Sequence, residues 1–109
     1  MKNLTICADD YSQSPSISAA ILRLLETRRL NAVSCFSQSP TWPFDARNLF
    51  PFLDRAQIGL HFNLTFPFGQ SKIKVSRLLF QSIADRISSQ WVKVRLTDQW
   101  NAFEKSFGR

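Results

Sequence analysis

Apolar and polar positions change period several times along this chain, and each change marks an element. The run Leu4-Thr5-Ile6-Cys7-Ala8 is mostly apolar and partly β-branched, which predicts a buried strand, and the adjacent carboxylates Asp9 and Asp10 end it. Ser14 followed by Pro15 supplies a hydroxyl cap and a first-turn proline. Apolar residues then recur at Ile17, Ala20, Ile21, Leu24 and Leu25, so a helix is expected from about Pro15 to Arg28, with Arg28 and Arg29 at its negative pole. Ala32 to Phe36 reads as a second strand; a strand, helix and strand joined this tightly form a parallel βαβ unit. Pro43 and Pro51 frame a short, broken helix over 44–54.

From Gln57 to Thr65 the pattern alternates. Ile58, Leu60, Phe62 and Leu64 fall on one face of a predicted third strand, and Gly59, His61, Asn63 and Thr65 on the other. Phe66-Pro67-Phe68-Gly69 is turn-like, and 66–76 is expected to be a mobile loop. Leu79, Phe80, Ile83, Ile87 and Trp91 predict a helix from Ser76 to Trp91. Leu96, Trp100, Phe103 and Phe107 predict another, with Thr97 as its cap and Gly108 as its end. Both stripes are expected in the core. No repeat or boundary divides the chain, so 1–109 is taken as one domain.

Composition narrows the class. The apolar share, 44%, with ten Phe and three Trp, suits a folded core rather than disorder. Cys7 and Cys35 lie in apolar runs and are expected as buried thiols rather than a disulfide. The formal charge is +6. The basic excess falls in the second half, where residues such as Lys72, Lys74, Arg77, Arg86, Lys93, Arg95 and Lys105 stand singly among apolar positions. That spacing fits solvated helix faces, and no recognition motif accompanies it, so no nucleic-acid partner is expected. With neither a signal-peptide layout nor a membrane-spanning apolar run, the expected location is cytoplasmic, with no membrane partner.

Candidate chemistry sits at two of the strand ends. A strand cannot bury two neighbouring charges cheaply, so Asp9 and Asp10 belong at a wet, polar or metal-bearing site or, the reading the local sequence alone favours, in a solvated strand-to-helix loop. His61 is the chain's single histidine and has polar neighbours at alternate positions; it reads as a ligand or as a hydrogen-bonded structural residue. Trp42 could stack on a sugar ring, though packing is the favoured reading.

These two stretches together resemble the YdjC-like carbohydrate deacetylases, which include chitooligosaccharide deacetylases and hopanoid-associated relatives. Ala8-Asp9-Asp10-Tyr11 with Ser14-Pro15 matches one family motif, and Gly59-Leu60-His61-Phe62-Asn63-Leu64-Thr65 matches the other without a gap. The resemblance implies a metal-dependent hydrolase that removes N-acetyl groups from amino sugars or oligosaccharides, on a TIM-like (β/α) barrel of parallel strands with flanking helices. Carried over, Asp9 is the general base, and Asp10 and His61 are metal ligands; Asn63 and Thr65 shape the pocket. The implied cofactor is a divalent ion, magnesium foremost, with zinc or manganese as alternatives. The implied partner is an N-acetylated carbohydrate.

The family also has a second metal-binding histidine in a later D-G-H-x-H strand, and no histidine follows His61 here. The chain therefore reads as the N-terminal part of such an enzyme, an α/β, partial barrel cut before it can close and weak or inactive by itself. An unclosed sheet would keep an exposed edge and an uncovered apolar face, and could self-associate through them. The alternatives are a non-catalytic remnant or interaction protein that keeps the motifs, and, more remotely, a basic nucleic-acid-binding module.

Overall fold

The computed structural model describes residues 3–65, 68, 75–83 and 88–107. Three strands, β1 (Cys7–Tyr11), β2 (Ala32–Cys35) and β3 (Gln57–Leu60), form a parallel sheet in the order β1-β2-β3. Helix α1 (Pro15–Glu26) connects the first pair, and α2 (Trp42–Arg47) with a 3-10 turn at Phe50–Phe52 connects the second. Helices α3 (Val75–Ile83) and α4 (Ser89–Ser106) follow β3. The architecture is thus α/β with parallel strands, as expected, and the three-stranded sheet is open.

Helix α1 begins as its sequence dictates. Ser14 caps it, its Oγ accepting the Ile17 N–H at 3.4 Å, and Pro15 fills the first turn. It ends two residues before Arg28. The Arg28 and Arg29 N–H groups turn back to the carbonyls of Leu25 and Leu24, at 3.1 and 2.8 Å, while Arg28 takes a left-handed φ of 57°. That pair of hydrogen bonds closes the helix in the manner usually given to glycine, so the two arginines form the cap rather than the last turn.

The first strand departs from expectation. It begins at Cys7, and Leu4 and Ile6 are exposed rather than buried. β1 is an edge of the sheet, and the Asn31 side chain serves the preceding residues in place of a longer ladder. Its Oδ1 accepts the Ile6 N–H at 2.7 Å, and its Nδ2 donates to the Leu4 carbonyl at 2.8 Å. Cys7 is correspondingly exposed, while Cys35 is buried; both are free thiols.

The core lies on one face of the sheet. Val33 and Cys35 of β2 meet Tyr11, Ile21, Leu25, Trp42, Ala46, Leu49, Phe52 and Phe103, with Ile58 and Leu60 packed against them. Trp42 is a packing residue: it is buried, stacks on Phe103 at 5.7 Å and donates its Nε1–H to the Ala102 carbonyl at 3.1 Å. No face of its ring is left for a sugar. The other sheet face carries Cys7, Asp9, Ser34 and Gly59 by register, and a Cβ placed on Gly59 would meet nothing within 4 Å. The uncovered face is therefore polar and small-residued rather than apolar.

The C-terminal helices start elsewhere than their stripes suggest. Ser88 caps α4, accepting the Trp91 N–H at 3.3 Å, so Trp91 opens this helix instead of closing the previous one. Thr97 is mid-helix, where its hydroxyl bonds the Lys93 carbonyl at 2.9 Å and caps nothing. Residues 84–87 and Gly108 lie outside the described residues, as does most of the loop expected over 66–76. Of the two apolar stripes, Phe103 is buried and Phe107 packs against the core. Leu79 and Phe80 on α3 and Val94, Leu96 and Trp100 on α4 are exposed, because among the described residues nothing covers them. No helix among the described residues is long and apolar enough to cross a membrane.

Candidate active site

The carboxyl ends of the three strands bring together Asp9, Asp10, Ser34 and His61. In a regular strand two adjacent residues point to opposite faces. Here the β1–β2 register slips: Ala8 pairs with Val33, but Tyr11 pairs with Cys35, so three steps on β1 match two on β2. The extra residue is absorbed by Asp10, whose φ is 69°. This bulge returns Tyr11 to the core face and lets both carboxylates approach the same imidazole. His61 Nδ1 lies 3.9 Å from Asp9 Oδ1, and His61 Nε2 lies 3.7 Å from Asp10 Oδ1.

Several bonds hold this geometry. The Ser34 hydroxyl donates to Asp9 Oδ1 at 2.6 Å and lies 2.9 Å from His61 Nδ1. The ladder continues past the strand ends through the His61 N–H to the Cys35 carbonyl at 2.8 Å and the Phe36 N–H to the Tyr11 carbonyl at 2.9 Å. Phe36 sets its ring edge-on to the imidazole, 4.6 Å between centres. Behind the carboxylates, Ser12 also has a left-handed φ, 73°, and is buried. Asp45 of α2 secures it: Asp45 Oδ2 accepts the Ser12 and Thr41 hydroxyls at 2.6 and 2.7 Å, and the Asp45 carbonyl accepts the Tyr11 hydroxyl at 2.8 Å. The Cys7 thiol sits 3.8 Å from Asp9 Oδ1, and partial burial together with that negative charge holds it above the ordinary thiol range.

The stretch after His61 is not the continuous strand that its alternation predicts. β3 ends at Leu60, so His61, Asn63 and Thr65 do not line one strand face. The Asn63 side chain turns back instead, its Oδ1 accepting the Thr65 N–H at 3.1 Å. The backbone pairing is taken over by a side chain. Gln99, buried on α4, accepts the Asn63 N–H at 2.8 Å and donates to the Asn63 carbonyl at 2.6 Å. The Ser37 hydroxyl ties the loop after β2 to the Gln99 carbonyl at 2.6 Å.

Chemically, the site offers an imidazole nitrogen and a carboxylate oxygen facing each other, with a second carboxylate alongside. Two donors that each sit about 2.1 Å from one divalent ion lie at most about 4.2 Å apart, so the Asp10–His61 separation of 3.7 Å suits a shared ion. Among the described residues, no group of three or more His, Cys, Asp or Glu side chains is arranged to hold a metal. Asp10 and His61 would thus supply two positions of a shell, and any others would fall to water or to donors outside the described set. Ser34, Gln99 and Asp45 belong to no motif in the sequence. Ser34 had a signal, as the sole polar side chain in an apolar strand; Gln99 had one too, three residues from Leu96 and four from Phe103 on the same helical line.

The fold and site define an α/β protein with an acid–imidazole cluster at the carboxyl ends of parallel strands. The YdjC-like protein family matches residues 3–109, and the chain belongs to that family. A crystal structure from Enterococcus faecalis V583, of a protein provisionally named for cellobiose-phosphate cleavage, superposes with a TM-score of 0.72 at 20% identity. The superposition covers 96% of this chain and 44% of that one, so the chain spans less than half the length of this structural relative. No curated protein matches it.

Proposed function

We propose that this chain carries part of a divalent-metal-dependent hydrolase site that removes acetyl groups from N-acetylated carbohydrates. The observation behind the reading is the approach of Asp10 Oδ1 and His61 Nε2 to 3.7 Å, with Asp9 on the other side of the same ring. Family membership and the family resemblance of both motifs support it, and the Enterococcus relative's name also points to a carbohydrate. Asp10 and His61 would hold the ion, magnesium, manganese or zinc. Bound there, it supplies a lowered pKa for water and a polarised amide carbonyl.

The remaining work falls to the chain's own groups. Asp9 has Oδ1 occupied by Ser34, which leaves Oδ2 to take the proton of the attacking water and later deliver it to the departing amine. Phe36 fixes the imidazole plane from its edge. The open polar sheet face admits a hydrophilic substrate beside these groups.

Zinc or manganese titration of the 109-residue chain tests the reading, followed through the signals of its single histidine. Saturable perturbation, abolished by Asp10→Ala, supports the site; an unresponsive histidine overturns it. Acetate release from an N-acetylated oligosaccharide, in a chain completed by whatever donors the ion requires, is the activity readout, and Asp9→Asn should remove it while zinc, bound more weakly, still perturbs the histidine. A second reading, a non-catalytic interaction protein, is favoured by the exposed side chains of Leu79, Phe80, Leu96 and Trp100. It predicts self-association or partner capture with no metal response at His61.

A further inference from the structure

Ser34 has one proton and two close neighbours. Its Oγ lies 2.6 Å from Asp9 Oδ1 and 2.9 Å from His61 Nδ1. An ionised carboxylate can only accept, so the hydroxyl proton belongs to the Asp9 bond. Only lone pairs then remain on Oγ, and His61 Nδ1 must be the donor in the second bond. The reverse order would set two oxygens 2.6 Å apart with no proton between them. We propose that Ser34 is a positioning residue that fixes His61 in its Nδ1–H tautomer and so leaves the Nε2 lone pair, on the Asp10 side of the ring, open to an ion held between the two side chains.

The sheet is built to allow this. Ser34 lies on the middle strand, between Asp9 on β1 and the residue following β3. Its register partner is Gly59, which has no side chain to intrude between the hydroxyl and the imidazole two residues further on. The Asp9 charge is relayed through the hydroxyl to the ring, which makes Nε2 a stronger donor in the way carboxylates behind metal-bound histidines do. Asp9 therefore acts on His61 through Ser34 as well as on water directly. Only the metal-affinity consequence rests on the proposed hydrolase reading; the tautomer follows from the hydrogen bonds alone.

The test uses the 15N-labelled full chain, whose one histidine makes assignment unambiguous. Long-range proton–nitrogen correlation of the ring, in metal-free alkaline buffer, should show a protonated Nδ1 and a bare Nε2. Ser34→Thr, which keeps the hydroxyl, should preserve that state. Ser34→Ala should shift the ring towards Nε2–H and weaken zinc binding about 10- to 100-fold, the usual cost of losing an outer hydrogen-bond partner. A wild-type ring protonated on Nε2, or an Nδ1–H state that survives Ser34→Ala, overturns the proposal. So does a zinc affinity equal in wild type and Ser34→Ala where zinc perturbs the wild-type ring. If Ser34→Ala fails to fold, the wild-type and Ser34→Thr tautomers decide. Zinc that leaves the wild-type ring unmoved refutes the metal site instead, and the tautomer then judges Ser34 by itself.

Discussion

Gln99→Glu changes one atom in the clamp behind the site and makes its stability depend on pH. The wild-type amide accepts the Asn63 N–H at 2.8 Å and donates to the Asn63 carbonyl at 2.6 Å, with Gln99 2% exposed. The introduced carboxyl has the same shape and keeps the accepting oxygen. When ionised, its second oxygen faces the Asn63 carbonyl with no proton between them, in a place closed to water. Burial and this repulsion should raise its folded-state pKa by roughly two units above the ordinary Glu value of about 4.3, at about 1.4 kcal/mol per unit. The sign follows from linkage. The protonated carboxyl donates as the amide did, so the bond is fully present below about pH 4 and is lost as pH rises through the raised folded value. The variant should therefore be about 3 kcal/mol less stable than wild type at pH 7, with that gap largely gone at pH 4. Urea unfolding of both chains at the two pH values measures it, and taking differences cancels the other carboxylates. Gln99→Met, with no polar group, should instead lose about 2–4 kcal/mol at both pH values, because it orphans both Asn63 groups. A Gln99→Glu gap that is absent at pH 7, or equal at both pH values, would show that the clamp is not what holds the segment after His61.

Three further outcomes follow from the same geometry. Because Asp10 sits at a φ of 69°, Asp10→Gly should unfold at higher urea than Asp10→Ala, by about 1 kcal/mol or more, while both remove the zinc response of His61. Iodoacetamide should modify exposed Cys7 but not buried Cys35 in the native chain, and both in urea, as read by mass spectrometry; Cys7 should react more slowly than an unhindered thiol, since its pKa is raised. Burial also raises the Cys35 thiol and the Tyr11 phenol above their ordinary 9.0 and 10.0, so folded stability is intact below those values and falls as pH climbs past them, by up to about 1.4 kcal/mol per unit for each group. Tyr11→Phe should flatten that decline above pH 10.

The sequence was most legible where one local signal determines one local structure. Ser14-Pro15 could hardly do anything but start a helix, and the β1-α1-β2 order followed from the short links between apolar runs. Trp42 lies in the core although the loop before it is polar, because its one polar group finds a partner there in the Ala102 carbonyl while its ring stacks on Phe103. Legibility failed where a side chain does the work of a backbone. Asn31 stands in for a strand partner of Leu4 and Ile6, and Gln99 for one of Asn63; neither substitution leaves a periodic trace, since the partners are 25 or more residues apart. The alternation from Gln57 to Thr65 was real but outlasted the strand, because an asparagine side chain competes with the ladder for the same N–H groups. The helix stripes of α3 and α4 identified apolar faces correctly, yet a stripe states only that a residue prefers cover, not that the chain supplies it.

The bulge is the step on which the division of labour between Asp9 and Asp10 depends. Without it, alternation would send one carboxylate into the core beside Val33 and Cys35, where an unpaired charge costs several kcal/mol. A sequence of two adjacent aspartates at the end of a strand is thus incompatible with a regular strand, and the chain escapes by an extra residue and a left-handed turn. Asp tolerates that conformation better than most residues, so the residue that absorbs the strain is also one suited to be a ligand. The same displacement explains why the two carboxylates approach different ring nitrogens. Asp9 stays on the polar face, within reach of Ser34 on the neighbouring strand, and so meets Nδ1; Asp10 projects beyond the sheet and meets Nε2. Two chemically identical side chains acquire distinct roles through one slipped register, so Asp10→Gly, which keeps the bulge and removes only its carboxylate, should leave the Asp9–Ser34–His61 bonds in place, read as an unchanged tautomer of the histidine ring.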